Sequence, residues 1–205
     1  MSMKACSIVF IVEGSTEKYF FDLVLNNFNY KRNFPKIHFE IINIQGVGKF
    51  EARGVRKYEC YLKKLKNKYG QEIPSYVYLC YDHDVFVRNA KPPFDFNKIK
   101  KKLETYPNTK KVEKVIAYDQ IEDWFLLDLA GICKYLGISK TNKKVNGRSG
   151  TEKMINLFKK AGNKTYQKRQ NLDGGKFIDS MDFKKITSQL TPFLQQLDDI
   201  CKNHT

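Results

Sequence analysis

The sequence predicts an α/β fold: a mostly parallel four-stranded sheet with helices on both faces, followed by a helical C-terminal extension. Three observations predict it. Four short runs rich in β-branched and aromatic residues alternate with segments whose apolar residues recur every three or four positions, the pattern of βαβ units joined by right-handed crossovers. The first run, ACSIVFIV (5–12), is apolar almost without interruption, as in a strand covered on both faces. After Tyr118 the alternation stops and the pattern stays helical.

Taken in order, the first run ends at Val12 and the period then changes. Phe20, Phe21, Val24, Leu25 and Phe28 recur at helical steps, so Ser15 or Thr16 reads as the cap of a helix reaching about Asn29. KIHFEIINI (36–44) is strand-like, KFEARGVRKYECYLKKLKNKY (49–69) helical and SYVYLCY (75–81) strand-like. FDFNKIKKKLETY (94–106) is helical with Asp95 as its cap, and VEKVIAY (112–118) is the fourth strand. IEDWFLLDLAGICKYLG (121–137), TEKMINLFKKAG (151–162) and DFKKITSQLTPFLQQLDDICK (182–202) are helical, with Trp124, Phe125, Leu126 and Leu127 read as core. ISKTNKKVNGRSG (138–150) reads as a mobile loop. This layout divides the chain into a core, residues 1–128, and a basic helical extension, residues 129–205, packed on it.

With 41% apolar, 14% aromatic and 29% charged residues, the chain belongs with folded globular proteins rather than disordered ones. A formal charge of +15 attracts polyanions, nucleic acid first among them. Only six of the 37 basic residues are arginine, so a plain solvated lysine surface is the competing reading. The charge is uneven: residues 134–169 hold eleven Lys/Arg against one acid, Glu152, whereas from Phe177 onward four aspartates outnumber three lysines. The basic segment, with Lys143, Lys144, Arg148, Lys168 and Arg169, is therefore the candidate phosphate-backbone surface. Lys49 in QGVGKF is a further phosphate candidate; that stretch lacks the Walker spacing and the third glycine of a dinucleotide fingerprint, and reads as a turn. Five cysteines without CxxC or Cys/His spacing argue against structural zinc and a disulfide framework. No stretch approaches the roughly 20 apolar residues of a membrane span, and the first apolar run is too short for a signal peptide, so a soluble cytoplasmic protein without a membrane partner is expected.

Ligands of open parallel sheets bind beyond the carboxyl ends of the strands. The first strand runs into Glu13, the third into Asp82, His83 and Asp84, and the fourth into Asp119, Glu122 and Asp123. A lone acid after a strand is commonplace. Carboxylates delivered by three strands to one sheet edge repel unless a cation sits among them, and hard oxygen donors suit Mg²⁺ or Mn²⁺. In extended geometry Asp82 and Asp84 share a side and His83 points away from them.

These residues carry a family resemblance. VEGSTEKYFF after a first strand, YDHD after a third and GVGKF between them resemble the Toprim (topoisomerase-primase) fold, a Rossmann-like sheet, in its overcoming-lysogenization-defect and RloB-like nuclease branch, over residues 8–128. QIEDWFLLD resembles the acidic, tryptophan-containing helix start of RloB-like proteins, and YQKRQ and LTPFLQQL resemble their tails. The resemblance gives Glu13 the role of the Toprim glutamate, Asp82 and Asp84 that of its Asp-x-Asp pair, Glu17 that of the second acid, and Glu122 that of an added acid serving a second ion. It implies a metal-dependent nuclease cutting DNA or RNA, possible substrates including tRNA, in anti-phage defence, with a separate ATPase chain as partner. Two ions held by these acids would activate water and stabilise the leaving oxygen, and Lys168 or Lys176 would offset developing charge. On this reading Glu13 ends its strand because its carboxylate belongs to the site, and Gly14 permits the abrupt turn. The alternative is a non-catalytic nucleic-acid-binding module of the same fold. A primase- or topoisomerase-like activity is a third, disfavoured by the lack of room for the usual additional domains.

Overall fold

A computed structural model describes residues 5–86, 93–117, 120–139, 145–162, 165–166 and 176–204. Four strands, β1 (Cys6–Val12), β2 (Ile37–Asn43), β3 (Ser75–Asp82) and β4 (Thr109–Ala117), form an all-parallel sheet in the order β2-β1-β3-β4. Val12 of β1 stands opposite Asn43 of β2 on one side and Cys80 of β3 on the other. Helices α1 (Ser15–Asn27) and α2 (Tyr30–Asn33) follow β1, α3 (Val55–Tyr69) follows β2 and α4 (Phe96–Glu104) follows β3. After β4 come α5 (Ile121–Phe125), α6 (Leu129–Leu136), α7 (Gly150–Lys160), α8 (Lys176–Asp179), α9 (Phe183–Ile186) and α10 (Thr191–Asn203). Among the described residues no helix is long and apolar enough to cross a membrane.

Contact density separates two compact units: Met1–Tyr81, Val85–Ile116 and Phe193–Thr205 in one, Asp82–Asp84 and Ala117–Pro192 in the other. In the sheet unit, β1 has no side chain more than 1% exposed, because helices cover both faces. Val9 and Ile11 with Val77 and Leu79 pack against Tyr58 and Leu62 of α3 and Ile99 and Leu103 of α4. Alternation turns Phe10 and Tyr78 to the other face. There Phe10 stacks on Phe21 of α1 at 5.4 Å, and Phe193 of α10 meets Tyr78 edge-on at 5.0 Å. The last helix thus belongs with the sheet, tied also by the Tyr30 hydroxyl donating to Asp198 at 2.6 Å. Asp95 caps α4 as expected, accepting from Lys98 N–H at 3.0 Å.

Several elements differ from the sequence pattern. Helix α1 begins at Ser15, with Gly14 as its N-cap and no side-chain cap bond, so neither Ser15 nor Thr16 serves as the cap. Residues 47–54 form a tight 3₁₀ turn and a wide π turn before α3 starts at Val55. The segment 182–202 is broken because Pro192, which has no N–H to donate, is tolerated only in a first helical turn, and α10 accordingly begins at Thr191. Trp124 and Phe125 are buried as expected, but Leu127 is 43% exposed.

In the second unit Phe125, Phe158 and Phe177 form an aromatic cluster. Asp128 breaks the helical run between α5 and α6: its carboxylate, 4% exposed, accepts from Asp182 N–H at 2.7 Å and pairs with Lys185 at 3.4 Å. Burial pushes this carboxyl up, but the Asp182 and Gly131 N–H groups and Lys185 outweigh it and hold it below the ordinary value. A depressed carboxyl contributes stability above its unfolded pKa and loses it as pH falls through the folded one. Asp128→Asn should therefore lower the melting temperature at pH 7, by an amount equivalent to about 1–3 kcal/mol for a charged hydrogen-bonded group. Melts recorded from pH 7 down to pH 3 should show the gap from wild type closing.

Candidate functional site

In the sheet unit the chain leaves β1 at Val12, and Glu13 follows directly. Gly14 then takes φ −143° and ψ −172°, an extended conformation open to any residue, so conformational freedom is not what requires glycine here. A Cβ at this position would lie 2.9 Å from Glu17 Oε2. The glycine makes room for a carboxylate that folds back from the first turn of α1, and this corrects the reading of Gly14 as a turn former. Glu17 is 8% exposed. Burial first, and the charge of Glu17 second, push the thiol of Cys80 well above its ordinary range, which brings Glu17 within electrostatic reach of the end of β3. Asp82, two residues beyond Cys80 in the same strand, shares its face.

In the second unit three carboxylates are each gripped by a donor distant in sequence. Asp82, 3% exposed, accepts through Oδ1 from Ile121 N–H at 3.0 Å. Asp84 accepts through Oδ2 from Gln120 Nε2 at 2.9 Å. Glu122, fully buried, accepts through Oε1 from the Tyr166 hydroxyl at 3.0 Å.

Gln120 is the hub. Its Oε1 accepts from Thr151 N–H at 2.9 Å and from the Thr151 hydroxyl at 2.7 Å. A carboxylate only accepts and a backbone N–H only donates, so the orientation of the amide is forced. Its backbone N–H donates to Asp123 Oδ2 at 3.2 Å, closing the start of α5. The start of α7 approaches so closely that a Cβ on Gly150 would meet Asp123 Oδ2 at 2.9 Å, and Lys153 pairs with Asp123 Oδ1 at 3.5 Å.

Sequence reasoning named the acids and missed Gln120, Tyr166 and Gly150. Gln120 had a faint signal: Q-x-x-D before a helical run is a variant of the capping box. Tyr166 heads the very motif, YQKRQ, that supplies the candidates Lys168 and Arg169. The expectation that Asp82 and Asp84 share a strand face does not hold, because β3 ends at Asp82 and His83–Phe86 form a 3₁₀ turn with His83 exposed. Lys49, at the end of a 3₁₀ turn, and Arg148, just before the α7 cap Ser149, are exposed. Tyr118, Asp119, Lys143, Lys144, Lys168 and Arg169 lie outside the described residues, as do 140–144 of the expected loop; Lys176 opens α8, and its side chain is likewise outside them.

Among the described residues, no three His, Cys, Asp or Glu side chains are grouped as a ligand set for a metal ion. Compared with known proteins, the chain matches no family model, no curated protein and no solved structure.

Replacing Gln120 tests the hub directly. Gln120→Ala removes three hydrogen bonds and should lower the melting temperature. Gln120→Glu keeps an acceptor for Thr151 but sets an anion against Asp84, so its deficit should be larger than that of Gln120→Ala at pH 7 and should shrink at pH 4 as carboxylates protonate. Equal deficits at both pH values would contradict the Gln120–Asp84 contact.

Proposed function

We propose that the chain is a divalent-metal-dependent nuclease of Toprim type that hydrolyses phosphodiester bonds of DNA or RNA, tRNA among them, as an effector of anti-phage defence under a separate ATPase chain. The observation that carries the proposal is the burial of acids around the carboxyl ends of the strands. Among the described residues the buried carboxylates are Glu17, Asp82, Glu122 and Asp128, and all but Asp128 are acids that the sequence points to. Withdrawing an ionised acid from water is costly, and a bound cation is one compensation. The sheet order supports the same reading: its connections reverse direction between β1 and β3, the position where open parallel sheets bind ligands, and Glu13 and Asp82 stand at the ends of those strands.

The donors are hard oxygens, the type that Mg²⁺ and Mn²⁺ prefer, and Glu13, Glu17, Asp82, Asp84 and Glu122 would hold the ions. A bound ion supplies an activated water and offsets charge on the leaving oxygen. The chain's own part is positional: Ile121 N–H orients Asp82, Gln120 orients Asp84 and Tyr166 orients Glu122. In this proposal the ion offsets the repulsion among these like charges. Lys168 or Lys176 adds positive charge at the reacting phosphate, and the basic segment 134–169 holds the substrate backbone.

The ungrouped state of the acids favours a second reading, a nucleic-acid-binding module without catalysis. One experiment separates the two. Labelled DNA, RNA and tRNA are incubated with the protein in Mg²⁺ or Mn²⁺, alone and with any ATPase encoded beside it. Wild type should cut at least one substrate. Asp82→Asn should abolish cutting while leaving affinity within a few fold, Glu122→Gln should reduce it, and His83→Ala should change little. Binding without cutting by wild type under all these conditions would hand the conclusion to the binding module.

A further inference from the structure

Strand β2 is an edge of the sheet, paired with β1 on one side only. A groove of about 690 Å³ is lined by β2, α3 and Lys18 of α1, all within the sheet unit. Its charge is one-sided: Lys18, Lys57, Lys64 and Lys68 line it against a single acid, Glu40. Glu40 is half-buried; burial raises its carboxyl, and Lys64 and Lys18 pull it down, so those two ammonium groups lie within electrostatic reach of it. Lys57, Lys64 and Lys68 recur at helical spacing and form one stripe of α3, about 16 Å long at 1.5 Å per residue. A stacked strand presents a phosphate about every 3.4 Å, so the stripe spans about four or five of them. On another side of the same helix, Lys63 and Lys66 are paired with Glu59 at 2.6 Å and Glu72 at 3.4 Å.

We propose that this groove is a track for a single polynucleotide strand whose phosphates meet Lys18, Lys57, Lys64 and Lys68. The lining is chiefly polar and cationic, which suits a polyanion and not an apolar ligand. An acidic peptide added to the sheet edge is the less suitable occupant. Lys57 Nζ donates to the carbonyl of Asn43 at 2.7 Å, taking a backbone acceptor at the end of β2, and lysines beside an edge strand discourage strand addition. The track is separate in sequence from residues 134–169, and it stands whether or not the carboxylates hold metal.

The test compares two pairs of substitutions on one helix, Lys64→Gln with Lys68→Gln and Lys63→Gln with Lys66→Gln, which change net charge equally. Binding of labelled oligothymidylate is followed by fluorescence anisotropy across a salt series in chelator, so that no cleavage intervenes. Losing two phosphate contacts should flatten the slope of log K against log salt by about 1.4 for the first pair, at about 0.7 per contact on a single strand. The second pair should leave it nearly unchanged. Cys60 lines the groove and is the one exposed cysteine of the five, so maleimide modification of it should slow when oligothymidylate is bound. Equal slope changes for the two pairs, or unprotected Cys60, would overturn the proposal. Protection of Cys60 by polyglutamate as strong as that by oligothymidylate would overturn it in favour of an acidic protein partner. Loss of nuclease activity plays no part in these readouts, so failure here is distinguishable from failure of the metal-dependent reading.

Discussion

The structure depends on the burial of β1 from both sides. A strand with β2 and β3 as neighbours and helices over each face has no solvated surface along its length, so every polar function it carries must appear at its ends. Ser7 illustrates the rule from within, its hydroxyl bonded to that of Ser75 at 2.9 Å on the neighbouring strand. At the carboxyl end the chain turns into α1 within two residues, and Glu13, Gly14 and Glu17 are compressed into that exit. The close approach of Glu17 to Gly14 is the local consequence: with the strand fixed by its neighbours and the helix fixed by Phe20, Phe21, Val24 and Leu25, the space for the Glu17 side chain comes from the missing Cβ.

A second constraint governs the acids beyond β3. Buried carboxylates need hydrogen-bond donors, and here the donors include a helix-start N–H, a side-chain amide and a phenol. These three donors are neutral groups, each giving one hydrogen bond to its carboxylate. Asp128, held by Lys185 as well as by Asp182 N–H, shows the contrasting solution in the same unit.

The sheet was legible in the sequence because its signal is local. ACSIVFIV and SYVYLCY announce strands through composition and length, and Asp95 announces a cap through its side chain. Glu13 and Asp82 stand at strand ends, where composition marks them in the same local way. What holds the acids was not legible: Gln120 meets Asp84 across 36 positions and Tyr166 meets Glu122 across 44, and no periodicity in the chain reports such pairs. Gly14 was read through its most familiar property, backbone freedom, when the deciding fact was a side chain three residues on. The turn after Asp82 escaped for a related reason, because alternation along a strand carries no mark of where the strand ends.

The net charge of +15 is less informative than its distribution. Lys63 and Lys66 face Glu59 and Glu72, Lys98 and Lys102 both face Glu51, and Lys100 and Lys111 face Glu104 and Glu113. Exposed pairs of this kind add little stability, but they offset the field over much of α3 and α4. A polyanion therefore meets a patterned surface. In the groove beside β2 four lysines line up with one glutamate, and in residues 134–169 the single acid, Glu152, accepts from Arg148 N–H at 2.7 Å at the start of α7. Since screening limits the reach of exposed charges to about 8 Å at physiological salt, each such patch acts on the phosphates that touch it. The lysines of α3 that are paired with Glu59 and Glu72 therefore contribute chiefly solubility.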